Sequence, residues 1–136
     1  MTQSIDARRY FRSADERYQD AEILLQGGRT TGCVYIAGYA VECSLKALLL
    51  KSTRGVDQQK VFTSFRGSFG HNLSGLLESY VKAKQGKVPK DVIVAITDIA
   101  DWTTDLRYDP KIIKDEEAKA FLGSAQNVMN WVKGRL

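Results

Sequence analysis

The chain has one histidine, His71, set directly after Gly70. An imidazole at the start of a helical segment can reach solvent or a phosphate, and it changes charge near neutral pH. Further along stands Arg107-Tyr108-Asp109-Pro110. Here a guanidinium fork suits a phosphate, a phenol hydroxyl can orient it, and a rigid Asp-Pro stop fixes both. Glu42 and Lys46 lie four residues apart inside the most apolar stretch of the sequence, the spacing at which opposite charges meet on one helix face. Charges in such a place are costly unless paired. Together these types suit phosphate binding.

Other chemistries lack their residues. There is no Gly-rich loop ending in Gly-Lys-Ser/Thr, no His-Glu-x-x-His and no calcium loop, and one histidine builds no histidine cage. No cofactor is expected. Cys33 and Cys43, the only cysteines, fall on one apolar helix and read as packing residues. Asn72-Leu73-Ser74 matches a glycosylation pattern by accident, since residues 1–12 carry Arg8, Arg9 and Arg12 where a secretory leader would be apolar. A reducing cytoplasm is the expected compartment.

The elements that must position these groups are helical. Apolar residues recur every three to four positions, and no strand-type alternation persists. The first helix covers residues 4–26, with Ala7, Tyr10 or Phe11, Ala14, Tyr18, Ala21 and Leu25 on its stripe, and Gly27-Gly28 stops it. Thr30 and Thr31 are expected to cap a second helix reaching Leu50, whose wide apolar face marks it as central. Residues 51–70 are polar and glycine-punctuated, a long connection where roughly two to eight residues suffice in a bundle. A third helix over residues 72–84 ends at Gly86, and a fourth starts at Pro89 and is closed by Asp109-Pro110. A fifth is capped by Asp115.

The expected fold is therefore all-α: a single domain over residues 1–136, an up-and-down antiparallel bundle of four to five helices with one long crossover loop. If the helices alternate direction, Arg8, Arg9, Arg12, Lys46, Lys51, Arg54, Arg66, His71, Arg107, Tyr108 and Lys111 gather at one basic pole. The net charge of +4 in 136 residues permits an anionic partner without requiring one. The longest uninterrupted apolar runs, such as Leu48-Leu49-Leu50, fall short of the roughly 20 residues of a bilayer span. No membrane association is expected.

The run from Tyr35 to Leu49, YIAGYAVECSLKALL, resembles the central helix of the HEPN domain family (higher eukaryotes and prokaryotes nucleotide-binding). Gly70-His71-Asn72-Leu73 and Leu106-Arg107-Tyr108-Asp109-Pro110 are similar to its two later landmarks, and the likeness spans residues 4–131. The resemblance implies homodimers with a cleft between protomers. It also implies one of two activities. Some members are metal-independent RNases, often toxins or defence effectors, with an Arg-x4-6-His motif on a helix. Others bind nucleotide or RNA without cleaving it, often beside a minimal nucleotidyltransferase. Arg66 to His71 has the nuclease spacing, but Gly67 stands where a polar residue is usual, and two glycines in four residues oppose a helix.

The preferred expectation is a binding module, an accessory or toxin–antitoxin-type partner of such a nucleotidyltransferase, holding a nucleotide or RNA phosphate with Lys46, Glu42, His71, Arg107 and Tyr108. The second is an endoribonuclease in which His71 moves the proton and Arg66 or Arg107 stabilises the phosphorane. The third is a non-catalytic interaction protein docking through an exposed Trp102 or Trp131.

Overall fold

The computed structural model describes residues 2–84 and 87–136. Among them are six α-helices, three short 3₁₀ turns and no strand. Helix α1 (Thr2–Gln26) buries Ala7, Ala14 and Ala21, small residues at heptad spacing that let it lie close against its neighbour. Gly28 ends it at φ 77°, and the N–H groups of Gly28 and Arg29 bond back to the carbonyls of Leu25 and Leu24 at 3.0 and 2.8 Å. This paired closure needs a left-handed residue, which glycine supplies without strain.

The chain reverses into α2 (Thr30–Ser52), the central helix. From Ala40 to Leu50 every residue but Cys43 is buried, because α1, α4 (Leu73–Lys84) and α6 (Asp115–Lys133) cover it. Short apolar runs had argued against a span, yet by length and overall apolar content α2 does meet the requirement for crossing a bilayer. With 78% of its apolar window buried, it serves as the core of the bundle. Thr30 and Thr31 do not cap it. Their hydroxyls reach instead to the carbonyls of Ile113 and Lys111, tying the segment before α6 to the start of α2.

The crossover differs from the expected loop. It holds a 3₁₀ turn at Gly55–Asp57, helix α3 (Gln58–Ser64) and a second 3₁₀ turn at Ser68–His71, which raises the helix count above the expected four to five. Two side chains anchor it: Gln58 Nε2 donates to the Leu50 carbonyl at 2.8 Å, and Phe65 enters the core against Tyr10, ring centroids 5.9 Å apart. Gly70 follows at a point of close approach, where a Cβ would sit 1.8 Å from the Phe65 carbonyl oxygen. Asn72 Oδ1 then accepts from the Gly75 N–H at 2.9 Å and caps α4. Gly86, expected to end that helix, lies outside the described residues.

Helix α5 (Lys90–Ile99) is shorter than its pattern suggested. It stops well before Asp109-Pro110, and Arg107 and Tyr108 belong to a separate 3₁₀ turn, Thr104–Tyr108, opened by Thr103. Between the two elements Trp102 turns inward and is 5% exposed. Trp131 on α6 is 9% exposed, so neither indole is the exposed docking residue expected from the sequence.

Candidate functional site

On α2, Tyr35, Tyr39, Glu42 and Lys46 fall at i, i+4, i+7 and i+11, one stripe down a single face. Glu42 is the hub. Its Oε2 accepts from Lys46 Nζ at 2.8 Å, and its Oε1 lies 2.8 Å from His71 Nδ1. Glu42 and Lys46 are both buried, so the pair compensates two charges withdrawn from water, and Lys46 also sits 5.1 Å over the Phe65 ring. Lys46 was expected on the ligand-facing surface. It lies behind that surface instead, its ammonium engaged by Glu42 and Phe65.

A carboxylate can only accept, so Nδ1 of His71 carries the hydrogen, and Nε2 has no hydrogen-bond partner among the described residues. The His71 side chain is 40% exposed. The site thus offers an imidazole with a fixed tautomer, one edge tied to a buried acid and part of the ring open to solvent. The 3₁₀ turn and the close approach at Gly70 place it there.

Tyr39 connects His71 to the arginine. Its ring stands edge-on to His71 with centroids 6.1 Å apart, and its hydroxyl lies 3.4 Å from that of Tyr35. Burial first, then Tyr35 and the Glu42 carboxylate, push the Tyr39 phenol up to about 12, with Arg107 partly opposing them. Arg107 itself is exposed, 4.8 Å over the Tyr108 ring, and polar contacts with Tyr108 and then Tyr35 raise its pKa further. His71 and Arg107, remote in sequence, therefore flank one pair of tyrosines. Tyr108 is 74% exposed, an open ring beside a fixed cation.

The basic pole expected from helix alternation does not form. The Lys111 carbonyl is held at the start of α2, Arg107 meets Tyr35 one turn in, and His71 meets Glu42 two turns later, roughly 10 Å further along the axis. Arg54 lies beyond the far end of α2. The candidates are spread along one flank of the central helix. Arg66 is not brought into the cluster: its side chain is exposed, with no ion pair among the described residues, on a bend after α3, and Gly67 at φ 75° separates it from the turn that carries His71. The two do not share a helix.

The model of the HEPN domain family matches residues 7–135 of the sequence. The chain belongs to the HEPN domain family. No curated protein and no solved structure matches it significantly. Within this HEPN domain the stretch 35–49, which carried the resemblance, is the part of α2 that bears the Tyr-Tyr-Glu-Lys stripe.

Tyr35 and Tyr39 were not singled out from the sequence, although their i, i+4, i+7, i+11 register with Glu42 and Lys46 was available there. Gly38 is a second missed position. A Cβ on it would meet the Trp102 indole at 1.9 to 2.3 Å, so glycine is what lets Trp102 lie flat on α2 and brace Tyr39, ring centroids 5.2 Å apart. No cluster of three or more metal-ligating side chains occurs among the described residues.

Proposed function

We propose that this HEPN domain binds the phosphate of a nucleotide or of RNA on the surface between His71 and Arg107, as an accessory subunit rather than a catalyst. The observation that carries this is the placement of an exposed guanidinium and an oriented imidazole on either side of Tyr35 and Tyr39, with the open Tyr108 ring available for stacking a base. Membership of the HEPN domain family supports a nucleotide- or RNA-related role. In this reading Glu42 and Lys46 hold His71 and touch no ligand. The assembly is a homodimer that serves a minimal nucleotidyltransferase in the cytoplasm.

Titrating ATP and a short single-stranded RNA into the protein, followed by calorimetry, tests this. Affinity falls as salt rises and drops about tenfold or more in Arg107→Ala, the scale of a lost charged contact. Absent binding, or binding indifferent to both salt and Arg107, refutes it.

One observation favours a second reading. The Glu42 to His71 contact is also the arrangement that orients an imidazole for proton transfer, so His71 can act on a ribose 2′-hydroxyl while Arg107 stabilises the phosphorane. Arg66 enters that scheme only from its exposed bend. Labelled RNA incubated in EDTA decides between the readings. Cyclic-phosphate ends that disappear in His71→Ala establish the nuclease, and intact RNA leaves the binding module.

A further inference from the structure

α5, the turn at Thr104–Tyr108 and α6 border a cavity of about 590 Å³. It continues past Asp98 and Ser124 into a second recess of about 520 Å³ along α5 and α6. The floor is apolar, laid by Val34, Ile99, Trp102, Leu106 and Phe121. The rim is acidic: Asp98, Asp101, Asp105, Asp109 and Glu117 line the cavity and no Lys, Arg or His does, while the second recess adds Asp91 and one cation, Lys90. None of the cavity's five carboxylates forms an ion pair with a cation of this chain among the described residues. In a sequence of net charge +4 this is a local reversal of sign. Val94, which lines the second recess, is half exposed, as is its neighbour Ile93.

An occupant has to match both surfaces. A nucleic acid is repelled by the rim, since like charges repel most where water is displaced. A small polyamine meets the carboxylates but leaves the floor wet, while a purely apolar segment fills the floor and neutralises nothing. A peptide with apolar residues on one side and Lys or Arg on the other satisfies both, in the way amphipathic helices occupy grooves.

We propose that the α5–α6 groove docks a basic, apolar-faced segment of a partner protein, on a surface distinct from the one assigned to phosphate and independent of that assignment.

The test uses the full chain and a synthetic helical peptide of roughly 15 residues, about 22 Å long, with Leu on one face and Lys on the other. Methyl resonances are followed by NMR. Saturable shifts of Val34, Ile99 and Leu106 are expected, with Leu45 unmoved. The triple variant Asp101→Asn/Asp105→Asn/Glu117→Gln alters only exposed side chains and keeps the fold, which circular dichroism verifies. It is expected to weaken binding about tenfold or more, and salt to weaken binding to the wild type. No saturable shift at those methyls overturns the proposal, as does equal affinity for a Glu-for-Lys version of the peptide. Spermine binding as tightly as the peptide assigns the groove to small amines and overturns it too. So does a dimer in light scattering that the triple variant dissociates, because the occupant is then a second copy of this chain.

Discussion

Gly38→Ala tests the packing behind the site. In an exposed helix interior this change stabilises by about 1 kcal/mol, because alanine loses less backbone freedom. Here the new Cβ falls 1.9 Å from Trp102 Cε2, 2.1 Å from Nε1 and 2.3 Å from Cδ2. Carbon atoms prefer about 3.5 to 4.0 Å, so the indole must withdraw by roughly 1.5 Å or more. Trp102 is 5% exposed and braced by Tyr39, so the shift breaks that ring contact and displaces the indole into the cavity it floors. Overpacking of a core costs about 1–3 kcal/mol, and a clash with a rigid bicyclic ring belongs at the upper end. Subtracting the helical gain leaves a net loss of about 2 kcal/mol. At about 2.1 cal/mol/K of unfolding entropy per residue, that lowers Tm by roughly 7 °C. Thermal melts followed by circular dichroism measure it. In a Trp102→Ala background the obstacle is gone, and the same substitution becomes neutral or stabilising. A rise in Tm for the single variant, or an equal loss in both backgrounds, refutes the assignment of Gly38 as the seat of Trp102.

Three further outcomes follow from the same geometry. Glu42→Ala leaves the Lys46 ammonium buried and unpaired, an expected loss of about 3–5 kcal/mol in urea denaturation. Glu42→Met/Lys46→Met recovers most of it, and a double variant as unstable as the single contradicts the pairing. Gly70→Ala sets a Cβ against the backbone oxygen of Phe65, which cannot move aside as a side chain does, so limited proteolysis between residues 58 and 71 accelerates several-fold; an unchanged cleavage rate counts against the close approach. Burial, and then the Glu42 carboxylate, push the Cys43 thiol up to about 11. A raised pKa keeps the thiol protonated below it, so at pH 8 only about 0.1% is thiolate and alkylation by iodoacetamide climbs about tenfold per pH unit toward pH 11. A half-maximal rate near pH 8.5, measured by mass spectrometry, contradicts the shift.

Local features were readable from sequence because their causes are local. The glycine pair at 27 and 28 closes α1, the spacing of Glu42 and Lys46 makes an ion pair, and the wide apolar face of residues 30–50 marks the central helix. The His71 to Glu42 contact joins residues 29 apart through tertiary packing, and no periodicity announces it. Helix α3 was hidden because its anchors are few, and because what secures it, Gln58 on the Leu50 carbonyl and Phe65 against Tyr10, involves partners outside the segment itself. The early end of α5 was masked by Trp102, whose apolar character continues the helical pattern although the backbone has already left it. Thr30 and Thr31 look like caps by type, and only the neighbouring segment reveals that their hydroxyls are spent on Lys111 and Ile113.

The small-residue seam of α1 bears on how the chain reaches this state. Ala7, Ala14 and Ala21 press α1 onto α2 across a two-glycine reversal, so the most extensive helix pairing in the molecule joins segments adjacent in sequence. Closing that hairpin costs little loop entropy, which makes it the natural nucleus. The amides slowest to exchange with deuterium will then be those of Ala37 to Leu49, protected to the global unfolding limit. The segment bearing His71, held to the core by few side chains such as Phe65 and Gln58, is expected to exchange faster than α2.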